Sequence, residues 1–69
     1  MSKIIFFNLR TNYGVETIDS VCRNDFESIK DFITEVKRLR NEYHIAGIPA
    51  YTSCRATKDW YQQHKNSLL

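Results

Sequence analysis

From Asn24 onward, apolar side chains recur every three or four residues: Phe26, Ile29, Phe32, Ile33, Val36, Leu39 and Tyr43. That period places them on one side of a helix of about five turns, predicted over residues 24–44. Between them fall Glu27, Lys30, Asp31, Glu35, Lys37, Arg38, Arg40 and Glu42, a charged side. Both ends are marked. Asn24, with Glu27 three residues on, has the spacing of a capping box. Gly47 supplies the left-handed residue that closes a helix, and Pro49 blocks its resumption. The charged side reads as a solvated helix back, with a docking surface as its functional alternative.

Ahead of the helix, residues 3–10 carry Ile4, Ile5, Phe6, Phe7 and Leu9 in a nearly continuous run of β-formers. Such a run fits a central strand buried on both faces. Thr11, Asn12, Tyr13 and Gly14 make a turn signal. In residues 15–22, Val15, Thr17, Asp19 and Val21 alternate with Glu16, Ile18, Ser20 and Cys22. Neither set is strongly apolar, which fits an edge strand in a hairpin with the first. Residues 50–56 read as a third strand. Thr57 can cap a short helix from Lys58 to about residue 66, with Trp60, Tyr61, His64 and Leu68 on overlapping parts of one side.

The order ββαβα predicts a single α+β domain over residues 1–69. Its sheet has three antiparallel strands in the order 2-1-3, with the long helix on one face and Phe32 and Val36 central to the contact. Ile4 and Phe6 point to the second face, which needs cover from the C-terminal helix or from another subunit. Left open, Ile4, Phe6 and Tyr51 would form an apolar patch of about a few hundred Å², the size that marks an interaction site. A homodimer closing that patch would also enlarge the core of so short a chain.

Composition narrows the classes. A chain of 69 residues has room for one domain and little room for a deep pocket. Its net charge of +2 is too small for a protein built around phosphate binding. Two cysteines, Cys22 and Cys54, are too few for a secreted disulfide framework. The opening apolar run stops at Arg10 and lacks signal-peptide form. No stretch approaches the roughly 20 apolar residues of a membrane span. The expectation is a cytoplasmic protein with reduced thiols and no membrane contact.

Signals for chemistry are sparse. Cys22, Cys54, His44 and His64 are metal-ligating types, but no close pair among them pre-forms half a zinc site. Ser53 and Cys54 lack any surrounding nucleophile motif. Two glycines cannot build a phosphate-cradling loop. The expectation is a non-enzyme without cofactor or metal.

The most informative set is Arg10, Tyr13, Arg55, Lys58, Trp60 and Tyr61. Cations interleaved with aromatics can bind single-stranded nucleic acid through backbone attraction and base stacking. The same types anchor protein interfaces, and Trp60 can equally belong to the core with the cations solvated. Leu9-Arg10-Thr11-x-Tyr13-Gly14-x-Glu16-Thr17-Ile18-Asp19, then Glu42-Tyr43, then Ser53-x-Arg55-x-Thr57-Lys58-x-Trp60, spans most of the chain. The pattern resembles small uncharacterised proteins of bacteria and their phages and plasmids. That resemblance implies an accessory or mobile-element setting and transfers no catalytic residue. The expected function is a non-catalytic protein-interaction module that self-associates. The alternative is a nucleic-acid-binding accessory protein.

Overall fold

The computed structural model describes residues 3–64. Strand β1 (Ile4–Thr11) turns at Tyr13 into β2 (Gly14–Cys22). A 3-10 turn (Arg23–Asp25) leads to the long helix α1 (Ile29–Ile45). A short strand β3 (Tyr51–Ser53) and a helix α2 (Lys58–His64) follow. The sheet is antiparallel in the order β2-β1-β3, so the α+β fold and strand order expected from the pattern are those observed. Leu68 and residues 65 and 66, expected to extend the last helix, lie outside the described residues.

The weak alternation of β2 has a structural cause. The β1–β2 register shifts between Phe7 and Asn8: Phe7 lies opposite Asp19, but Asn8 lies opposite Thr17. Ile18 is the extra residue of a bulge, which re-aims side chains on its strand. Ile18 and Val21, assigned to opposite faces by simple alternation, therefore both reach the helix-side core.

That core is built on Phe7, Val21 and Phe32, with Ile5, Ile18, Phe26, Val36, Leu39 and Tyr43 packed around it. The Tyr43 ring lies 5.5 Å from that of Phe7. Its hydroxyl donates to Asp19 Oδ2 at 2.9 Å. Burial, then the hydrogen bond to Asp19 and the negative charge there, push the Tyr43 hydroxyl up to about 12.

The start of α1 differs from expectation. Asn24 falls within the 3-10 turn and does not cap the helix. Ser28 is the cap, its hydroxyl accepting the Asp31 N–H at 3.2 Å. Phe26 precedes the helix and reaches the core from the connection, its ring 6.1 Å from Phe32. The end is as expected. Gly47 takes φ +74°. Its N–H donates to the His44 carbonyl and that of Ile48 to the Tyr43 carbonyl, the paired bonds of a Schellman closure.

The third strand is three residues long, not the seven expected over 50–56. After Ser53 the backbone bonds to side chains instead of a ladder. Ser53 Oγ accepts the Arg55 N–H at 3.1 Å. Asn8 Nδ2 donates to the Arg55 carbonyl at 3.1 Å, and Thr17 Oγ1 accepts the Thr57 N–H at 2.9 Å. Asn8 belongs to β1 and Thr17 to β2, so these bonds draw the chain from β3 across the second sheet face.

Candidate functional site

The crossing segment places the aromatic residues singled out in the sequence. Asn8, 5% exposed, is the buried polar residue beneath it. Its Oδ1 accepts the Thr17 hydroxyl at 2.7 Å while its Nδ2 serves Arg55, so both ends of the amide are satisfied. Thr57 then caps α2 with its hydroxyl, 3.4 Å from the Trp60 N–H. With α2 held there, Trp60 lies edge-on to Phe6 at 4.8 Å and Tyr61 lies 6.1 Å from the same ring.

On the second sheet face Phe6 is thus covered within one chain. Phe6, expected on an open patch with Ile4 and Tyr51, is 3% exposed. Ile4 is half-buried opposite Cys22, and Tyr51 is exposed at the edge. The reason is the polar clip at Asn8 and Thr17, which brings α2 over Phe6.

The six expected contact residues do not all line one cleft. Tyr13 and Trp60 line one cleft of about 320 Å³ between the hairpin turn and α2. The turn is fixed by Thr11, whose hydroxyl donates to the Gly14 carbonyl and accepts the Tyr13 N–H, with Gly14 at φ +121°. Arg10, Arg55, Lys58 and Tyr61 are not among the lining residues; Glu16 and Asp59 are. A cleft that presents carboxylates and no Lys or Arg does not suit a phosphate backbone. Trp60 is also occupied: His64 stacks on it at 4.2 Å and its Nδ1 lies 2.9 Å from the Trp60 carbonyl. The Tyr61 hydroxyl accepts the Ala56 N–H at 3.3 Å. Arg10, Arg55 and Lys58 are exposed.

Cys22 is half-buried and Cys54 exposed, both as free thiols. Among the described residues no three metal-ligating side chains gather. Ser53 uses its hydroxyl on the Arg55 N–H. No helix is long and apolar enough to cross a membrane among the described residues.

A second surface lies along α1. Ile29 and Ile33, expected in the core stripe, are 58% and 43% exposed. The six apolar positions that lie on α1 span a wider arc than the sheet covers, because α1 sits toward β2 and β3 is only three residues long. Beside Ile33 runs a groove of about 210 Å³, with Ile5, Phe32 and Val36 also in its lining. Lys3, Lys37 and Arg40 make up the remainder. None of the three has an ion pair among the described residues.

The opposite flank of α1 is different. There Arg38 is bridged by Glu35 and by Glu42, the latter at 2.6 Å. The helix surface is divided lengthwise into a flank where two carboxylates share one guanidinium and a basic, partly apolar one. Sequence reasoning missed the second because Ile29 and Ile33 fit the core period. The available signal was their continuation by Lys37 and Arg40 at helical spacing on the same side.

Compared with protein-family models, curated proteins and solved structures, the chain matches none.

Proposed function

We propose that this chain is a non-catalytic protein-interaction module of the accessory kind, acting in the cytoplasm and suited to a phage or plasmid setting. It binds along the Ile29–Ile33 flank of α1. One observation carries the reading: two large aliphatic side chains stand exposed along an apolar groove whose cations have no ion pair among the described residues. Large apolar side chains grouped at the surface and rimmed by polar ones mark interaction sites. Covering them removes apolar area from water at about 25 cal/mol per Å².

A symmetric dimer through this flank would gather Lys3, Lys37 and Arg40 of both copies in one interface whose groove lining supplies no carboxylate. Like charges facing across an interface oppose association. The flank therefore favours a different protein over a second copy.

The test is affinity capture from source-cell lysate by the wild-type chain and by Ile33→Glu, with circular dichroism as the folding control. A protein retained by the wild type and lost by the variant is the expected result. Identical capture profiles would overturn the reading.

The nucleic-acid alternative draws support from the same cations. It predicts that a labelled single-stranded oligonucleotide binds with an affinity that falls steeply as salt rises. The interaction reading predicts no binding at moderate salt.

A further inference from the structure

Building on the reading of the α1 flank as a docking site, we infer that its occupant is an acidic amphipathic helix of a partner protein. The groove has two parts with separate chemical demands. Its floor, from Ile5, Phe32, Ile33 and Val36, accepts apolar side chains. Its cations, Lys3 just ahead of β1 and Lys37 and Arg40 from α1, lack ion pairs among the described residues and suit carboxylates.

From Ile33 to Arg40 the groove follows α1 for about 10 Å, at roughly 1.5 Å rise per residue. That length matches about two turns of a second helix. A helix with apolar residues at i, i+3 or i+4, and i+7, and Glu or Asp beside them, meets both demands at once. The Glu35–Arg38–Glu42 flank does not offer this to a second copy, because its carboxylates are already bridged. A single-stranded nucleic acid supplies charge, but the floor presents no exposed aromatic ring for its bases to stack on, Phe32 being 3% exposed. A bilayer surface supplies charge and apolar chains, but the floor lies between a helix and a strand, where a flat surface reaches it poorly.

The experiment is an amide-shift titration of the isotope-labelled full chain with three synthetic helical peptides of one apolar pattern, bearing Glu, Gln or Lys on the polar face. The Glu peptide is expected to move the amides of Ile5, Ile33, Val36, Lys37 and Arg40 first. Its affinity should fall by at least about tenfold in a Lys37→Glu/Arg40→Glu variant, with the melting curve retained. Should that variant unfold, Lys37→Gln/Arg40→Gln gives the same comparison with a smaller loss.

No shifts with the Glu peptide, or shifts confined to the hairpin cleft, would overturn the inference. Equal binding of the Gln peptide would overturn the acidic class. Shifts on the same residues from raising protein concentration, from an oligonucleotide or from phosphatidylglycerol vesicles would overturn it in favour of that occupant. The capture comparison with Ile33→Glu does not depend on partner charge, so the interaction reading stands or falls separately.

Discussion

Replacing Asn8 with alanine tests how the C-terminal segment is held to the sheet. The Asn8 amide is 5% exposed and joins two chain segments to β1, accepting from Thr17 and donating to the Arg55 carbonyl. Thr17 in turn accepts the Thr57 N–H. Alanine removes two hydrogen bonds worth about 1 kcal/mol each, and leaves two half-buried polar groups short of partners at a further cost of about 1 kcal/mol. The sum, about 2–4 kcal/mol, is a large part of the roughly 5–15 kcal/mol that holds a domain folded. At about 4–8 °C per kcal/mol for a domain of this size, the midpoint should fall by roughly 10–25 °C.

The effect should also be visible locally. Trp60 is the sole tryptophan and packs on Phe6. Its emission should move to the red, and soluble quenchers should reach it more easily, below the global transition. Asn8→Asp keeps an acceptor for Thr17 but sets a carboxylate oxygen against the Arg55 carbonyl, so it should be at least as damaging. An Asn8→Ala chain that melts within about 3 °C of the parent with unchanged emission would refute the reasoning. It would mean that the ring contacts to Phe6 and the Thr17–Thr57 bond hold α2 without the Asn8 amide.

Three further outcomes are expected. Phe32→Ala should cost about 3–5 kcal/mol in a denaturant melt, since Phe32 is the fully enclosed contact of α1, and a loss under about 1 kcal/mol would misplace the core. Ser28→Ala should cost about 1 kcal/mol in the same melt, and no measurable loss would misplace the cap of α1. The Tyr43 hydroxyl, held at about 12 in the fold against 10.0 in its absence, keeps its proton where the unfolded chain has lost it. Its contribution is therefore fully present below pH 10 and is lost as pH rises toward 12, so Tyr43→Phe should flatten the alkaline decline seen in melts across that range.

Much of the fold was legible because it rests on local periods and turn chemistry. The run from Ile4 to Leu9 marked a strand needed on both faces, and Gly47 with Pro49 marked where α1 stops. What could not be read depends on long-range bonds. The length of β3 is set by Asn8 and Thr17, which lie far back in the chain and look like ordinary strand polar residues. The bulge at Ile18 hid the core face of β2, because one extra residue reverses every side chain beyond it. The helix start moved from Asn24 to Ser28 because both are good caps, and the 3-10 turn consumed the first.

The site was less legible than the fold. Tyr13 and Trp60 were singled out and do share a cleft, but its charges are Glu16 and Asp59, not the basic residues expected beside them. Whether α2 or a second subunit covers Phe6 stays open in the sequence, because a local period does not tell where a short helix beginning with Lys58 and Asp59 comes to lie. Ile29 and Ile33 were assigned to the core because a period records which side of a helix is apolar, not how much of that side the sheet covers.

The most direct test of the α1 flank as the binding surface is amide hydrogen exchange of the chain alone and with its captured partner. The account predicts new protection at residues 29–40 and at Lys3 to Ile5, with residues 11–17 and 57–63 exchanging as before. Protection confined to the hairpin and α2, with residues 29–40 unchanged, would contradict it.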